Sequence, residues 1–340
     1  MRKDKLLVIG ACGQIGTELT VALREKYGNT NVIAADKHPT GLAGGPYCQL
    51  DVLDMDALAK LVQSEEVTQI YLLAAMLSAS GERNMQAAWE LNMGGLLNVL
   101  KLGVIHKVEK IFWPSSIAVF GQGTPKYLCP QETLTEPNTV YGITKRAGEY
   151  WCNYYFEQHG LDVRSLRFPG LISYKSAPGG GTTDYAVDIF HHALETGTYD
   201  CFLSEDTCLP MMYMPDAVRA VIDLMDAPAE KLRIRTSYNI AATSFAPCDL
   251  AAAIKKHIPD FKITYQPDYR QVIADSWPAS VNDLYARQDW EWEPQYSTQM
   301  IVADMLQNLR RMKGLPEREQ TEVKDYPDFP LDEYEFAVAG

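Results

Sequence analysis

The sequence predicts an α/β protein, a doubly wound parallel sheet with a smaller, interleaved C-terminal lobe. Three observations point there. Short apolar runs alternate with helical periods through the first half, a glycine-rich turn joins the first run to the first helix, and the alternation loosens after Phe168-Pro169-Gly170.

In chain order the strand-like runs are Leu6 to Ile9, Asn31 to Ala35, Gln69 to Ala74, Lys110 to Pro114 and Val163 to Phe168. Alternating with helices, they suit a parallel sheet covered on both faces. Helical periods fill the gaps at Gln14 to Glu25, Met55 to Gln63, Trp89 to Leu100 and Tyr141 to Gln158. A glycine-rich loop, Gly179 to Asp184, follows the break, so a second lobe begins near Leu171. Pro215 to Met225 reads as a helix with proline in its first turn, and Asn239 to Ala242 as a strand returning to the main sheet. The expected division is therefore 1–170 for the sheet domain with return segments near 210–242, then 171–209 and 243–312 for a substrate lobe. The last stretch, 313–340, is rich in proline, acids and tyrosine and is expected to be an extended arm.

The chain's 340 residues, 46% hydrophobic and 22% charged, are enough to bury a large core. A net charge of -13 argues against nucleic acid and anionic membranes, whose binders need concentrated basic surface. The apolar run at the N-terminus is cut short by Gly10, too soon for a signal segment, so a cytoplasmic protein is expected. Seven scattered cysteines with no C-x-x-C pair, and no H-E-x-x-H among six histidines, lead us to expect neither disulfides nor a bound metal.

Gly10-Ala11-Cys12-Gly13-Gln14-Ile15-Gly16 follows a strand and opens a helix. Glycines there permit a tight turn and let a pyrophosphate approach the N–H groups of the helix start. Asp36, twenty residues beyond Gly16 at the end of the second strand, can accept from ribose hydroxyls and repel a 2'-phosphate, which favours NAD over NADP. Asp51-Val52 can meet the adenine, Asp51 accepting from its amino group and Val52 packing its ring. Ala74-Ala75 can let the backbone approach the second ribose.

Tyr141 and Lys145 stand four residues apart and share one helix face. A phenol with a pKa near ~10 is a poor base, but a positive charge about 4 Å away at an effective dielectric of ~20 is worth ~4 kcal/mol, roughly three pKa units. With the added charge of an oxidised nicotinamide, a phenolate able to take an alcohol proton becomes accessible. Ser115 and Ser116 lie just past the C-terminal end of a strand, the edge where open parallel sheets bind ligands, and a serine there can orient a substrate hydroxyl.

Together the glycine loop, Asp36, Asp51-Val52, Leu73-Ala74-Ala75, Asn92, the Ser116 segment and Tyr141/Lys145 resemble the extended short-chain dehydrogenase family, with its Rossmann fold. The family's serine falls three residues before the valine of V-[YF]-G, which selects Ser116, and Asn92 resembles its structural asparagine. Gly179 to Ala186, Leu209 to Met214 and Ser276-Trp277-Pro278 resemble the branch of short-chain L-threonine 3-dehydrogenases. That resemblance implies an NAD-linked oxidation of L-threonine to 2-amino-3-oxobutyrate by a homodimer acting in threonine catabolism. Tyr141 would be the base, aided by Ser116 and Lys145, with Ser78, Thr182 and Asp184 near the substrate and Trp277 closing over it. The competing readings are an NAD-dependent sugar-nucleotide epimerase or dehydratase and a non-catalytic NAD sensor. Residues 171–220 hold only Lys175 and Arg219 as cations, which suits a zwitterion better than a nucleotide diphosphate.

Overall fold

The computed structural model describes residues 4–316. The chain begins β1 (Leu6–Ile9), α1 (Gln14–Tyr27), β2 (Val32–Asp36), β3 (Tyr47–Gln49), α2 (Met55–Ser64) and β4 (Gln69–Leu72). It continues through α3 (Ser78–Arg83), α4 (Met85–Trp89), a π-helical turn at Glu90–Gly94, α5 (Gly95–Ile105), β5 (Lys110–Ser116), α6 (Val140–His159) and β6 (Asp162–Phe168). These strands and a later one, β10, form a seven-stranded sheet in the order β10-β6-β5-β4-β1-β2-β3, with every pairing parallel.

Between those two parts of the sheet the chain builds β7 (Gly170–Ile172), α7 (Tyr185–Glu195), β8 (Thr198–Cys201), β9 (Leu209–Tyr213) and α8 (Met214–Asp226) before reaching β10 (Tyr238–Asn239). It ends with β11 (Thr243–Phe245), α9 (Pro247–His257), β12 (Lys262–Tyr265), α10 (Arg270–Asp275), α11 (Leu284–Trp290) and α12 (Thr298–Met312). A three-stranded sheet, β11-β9-β7, and a two-stranded one, β12-β8, belong to this second half.

Both faces of the large sheet are covered, as its strand sequences require. On one face Leu19 and Leu23 of α1 and Met214 to Met225 of α8 pack on Val8, Tyr71, Phe112 and Leu166. On the other, Leu58 and Val62 of α2, Leu96, Val99 and Leu100 of α5 and Cys152 of α6 pack on Leu7, Ile9, Ile70 and Ile111. A third cluster centres on Tyr185, Phe190, Leu250, Phe261 and Met305 of the second half and reaches Ile117 to Phe120, just after β5.

Two expected segments differ in detail. The helix expected over Trp89 to Leu100 is interrupted by the π-helical turn that carries Asn92, and such turns often mark functional sites. The return expected from about residue 210 starts later: β9 stays in the small sheet, while α8 and β10 rejoin the large one. Of the arm expected at 313–340, residues 317–340 lie outside the described residues.

Candidate active site

The strand order reverses between β1 and β4, which opens a crevice at their C-terminal ends. The glycine turn closes over it. Gly10 has φ +85°, and a Cβ there would stand 2.5 Å from the Ala74 nitrogen, while one on Gly16 would stand 2.2 Å from the Gly10 carbonyl oxygen. Side chains at either position would lift the turn off the sheet end. Leu73 and Ala74 both donate to the Ile9 carbonyl, at 2.8 and 3.1 Å, so the backbone after β4 is pinned beside the turn.

α1 starts at Gly13 with no side-chain cap and no acid in its first turn, leaving N–H groups near Gln14, Ile15 and Gly16 for an anion. Asp36 ends β2 as a buried carboxylate whose Oδ2 accepts from the Cys12 N–H at 2.9 Å, which places it beside the turn. A flat glycine cradle, a free helix start and a carboxylate at the second strand's end fit a dinucleotide.

Across the crevice, Thr139 caps α6 by accepting from the Gly142 N–H at 3.0 Å, which sets Tyr141 in the first turn and Lys145 one turn on. Ser116 is the last residue of β5 rather than a residue past it; its Oγ accepts from the Ala118 N–H at 3.2 Å and lies toward the Tyr141 phenol. Lys145 is buried, donates from Nζ to the Pro114 carbonyl at 2.5 Å, and lies 4.6 Å from the Trp113 ring centroid and 5.5 Å from that of Tyr141. Burial pushes the Tyr141 phenol up to about 12, with the Ser116 hydrogen bond pulling it down. Burial draws Lys145 down to about 7, with Cys152 and Glu149 opposing. Desolvation thus works against both charged forms, and the Lys145 Nζ is turned to a carbonyl. Activation of Tyr141 requires further positive charge at the site.

The model of the NAD dependent epimerase/dehydratase family matches residues 6–241. The chain belongs to that family. A curated relative, an uncharacterized epimerase/dehydratase of Staphylococcus saprophyticus, is 46% identical over 325 residues, 94% of this chain and 99% of its own length. Among solved structures, the GalE-like L-threonine dehydrogenase of Cupriavidus necator in its holo form is 57% identical with a TM-score of 0.89, covering 90% of this chain and 99% of that one. A monomeric L-threonine 3-dehydrogenase from a metagenome is 47% identical with a TM-score of 0.87, covering 90% and 99%. The cofactor is NAD, and the chain has the NAD-linked oxidoreductase fold of its family.

The other residues singled out from the sequence are placed variously in this family member. Asp51 is exposed, and its Oδ1 accepts from the Leu53 N–H at 2.9 Å in a turn. Val52, expected to pack on an adenine, is buried beneath α5, where a Cβ on Gly95 would come within 3.0 Å of it. Ala75 is half-buried at the crevice. Asn92, expected among the cofactor contacts, accepts from the Met76 N–H at 2.8 Å and donates to the Met76 carbonyl and Thr144 Oγ1, both at 3.1 Å. Its amide is occupied in tying the segment after β4 to α6. Ser78 is buried at the start of α3, whose Glu82 accepts from the Val140 N–H at 2.7 Å. Thr182 is buried, whereas Asp184 closes its own loop, accepting from the Gly179 and Gly181 N–H groups at 2.6 and 2.8 Å. Trp277 is already packed in the second-half core, its carbonyl held by Lys126 Nζ at 2.7 Å and its indole N–H without a partner among the described residues.

Sequence reasoning missed Glu149 and Arg167, which bind each other in the core behind the site. The signal was available: two arginines, Arg164 and Arg167, inside the strand-like run Val163 to Phe168 demand buried acceptors.

Two outcomes follow from this geometry. Gly16→Ala should weaken NAD binding at least ~10-fold in a fluorescence titration, because the turn must open to admit a methyl. Lys145 has a value of about 7 in the fold against 10.5 in the unfolded chain, so its burial destabilises the fold fully below pH 7 and ever less as pH climbs to 10.5. Lys145→Met should therefore raise the melting temperature of the cofactor-free protein at about pH 6, and that gain should vanish by about pH 10.

Proposed function

We propose that the chain is an L-threonine 3-dehydrogenase, oxidising the C3 hydroxyl of L-threonine to give 2-amino-3-oxobutyrate and NADH. The observation that carries this reading is the Ser116, Tyr141 and Lys145 constellation at the crevice mouth, in a chain 57% identical over 90% of its length to an L-threonine dehydrogenase. Bound NAD supplies the acceptor for the C3 hydride. Ser116 Oγ orients the substrate hydroxyl, and Tyr141 takes its proton as the carbonyl forms. Lys145 contributes positive charge that favours the phenolate, and its ammonium is positioned to hold a ribose hydroxyl. Gly10, Gly13 to Gly16, Asp36, Asp51, Leu73, Ala74 and Ala75 form the cofactor cradle, with Val52 and Asn92 supporting it from behind.

Ser78 and Thr182 bind the amino and carboxylate ends of the substrate, Asp184 holds the loop that presents Thr182, and Trp277 forms a dry wall. The sugar-nucleotide alternative would call for free cations to meet a diphosphate. Lys175 is instead paired with Glu18, Arg219 with Asp216 and Asp223, Arg233 with Asp289, Arg235 with Asp162, and Arg270 with Asp268. Lys231, exposed, makes none of these pairs; the pairing of the other five favours a small zwitterion.

The assembly is a homodimer formed through α5 and α6, and it acts in the cytoplasm. A surface groove of about 540 Å³ there is lined by Leu53, Trp89, Met93, Leu97 and Trp151, and Ile143, Tyr150 and Tyr154 share one exposed face of α6. No helix among the described residues is long and apolar enough to cross a membrane.

NADH formation at 340 nm should be seen with NAD and L-threonine, and be weak with NADP, D-threonine or UDP-galactose. Tyr141→Phe should lower kcat by about 10²–10⁴-fold while leaving NAD affinity unchanged; no turnover of any hydroxy amino acid despite NAD binding would sink the reading. By light scattering the wild type should weigh twice 38.1 kDa and Trp151→Glu half as much; a wild-type monomer, as in the metagenomic neighbour, overturns the dimer.

A further inference from the structure

We propose that Glu149 is a positioning residue for the reaction: one helical turn beyond Lys145, its buried carboxylate keeps that side chain cationic and fixes the end of β5 that carries Ser116. The inference rests on the roles given to Tyr141, Lys145 and Ser116 above, and extends them to a side chain that touches neither substrate nor cofactor.

The carboxylate is fully buried and fully occupied. Oε1 accepts from Ser115 Oγ at 2.7 Å and from Arg167 Nε at 2.8 Å, while Oε2 accepts from Arg167 Nη2 at 2.9 Å and Arg146 Nη1 at 2.7 Å. The remaining Arg167 nitrogen, Nη1, donates to the Gln131 carbonyl at 3.0 Å and Asn239 Oδ1 at 3.1 Å, which anchors the group to the edge strand β10. Burial alone would raise the Glu149 carboxyl, but Arg167, Ser115 and Arg146 hold it below the usual range, so it stays ionised wherever the protein is folded.

Two consequences reach the site. Successive strand residues face opposite ways, so the bond that draws Ser115 inward to Glu149 turns Ser116 outward to Tyr141. The second is electrostatic. The groups facing Lys145 are Tyr141, Cys152 and Glu149 on its own helix and the Trp113 ring and Pro114 carbonyl on β5, with Arg146 and, from β6, Arg167 turned onto the carboxylate. Tyr141 is pushed up to about 12, and burial drives the Cys152 thiol far above its ordinary value, so both are neutral. Among the described residues, Glu149 is thus the ionised carboxylate that opposes the desolvation of Lys145 from one helical turn away.

The test is a pH titration of the cofactor-free protein by ¹³C NMR of lysine ε-carbons, with the Lys145 signal assigned by its loss in Lys145→Met. In Glu149→Gln the Lys145 midpoint should fall by about one pH unit or more. With L-threonine, kcat should drop by at least ~10-fold and its rise move to higher pH, while KM and NAD affinity change less than ~3-fold. Because Glu149→Gln leaves Arg167 uncompensated in the core, Glu149→Gln/Arg167→Gln removes both charges together, and its Lys145 midpoint should also fall. A Lys145 midpoint that stays at its wild-type value in either folded variant overturns the proposal. Should the wild type fail to oxidise L-threonine, the substrate assignment falls, but the Lys145 midpoint still decides the part played by Glu149.

Discussion

A fully buried carboxylate must be neutralised where it sits, and meeting that demand organises the molecule around the site. Glu149 draws Ser115 from β5, Arg167 from β6 and Arg146 from its own helix, and Arg167 in turn takes up Gln131 and Asn239. Removing one partner of such a group strands a charge in the core, at a cost of about 3–5 kcal/mol. The ends of three neighbouring strands and the helix bearing Tyr141 and Lys145 therefore cannot shift independently. An apolar substitute of the same volume could pack as well, but it would not specify which of two adjacent serines faces outward.

The same economy of charge shapes the site itself. Tyr141 and Lys145, taken alone, are driven by desolvation toward their neutral forms, the phenol upward and the ammonium downward. Both would be inert as an acid–base pair at neutral pH. A cationic cofactor ring would shift that balance, since a phenolate would then have a partner in a medium where charges interact strongly.

Much of this was legible in the sequence because periodicity and glycine placement act locally. The parallel sheet, the strand–turn–helix at Gly10 to Gly16 and the helix carrying Tyr141 and Lys145 each follow from short-range rules. What escaped was set by partners far along the chain. Val52 points inward because Gly95 leaves room for it, Asn92 is consumed by Met76 and Thr144, and Asp184 is taken by its own loop. None of those choices changes the local pattern of hydrophobic and polar residues. Nor did spacing reveal that the Lys145 Nζ sits against the Pro114 carbonyl.

Strand β10 is only two residues long, yet it pairs with the whole upper end of β6 and comes some seventy residues later. During synthesis, the edge of β6 is bare until residue 239 has emerged, and the sheet face that α8 covers is bare until residue 226. An unpaired edge next to an uncovered apolar face is a template for wrong pairing between nascent chains. The first half of the chain, although it reads as a unit, is thus finished only by residues lent back from the second half. Cutting the chain after residue 170 would leave a sticky fragment rather than a smaller NAD-binding protein.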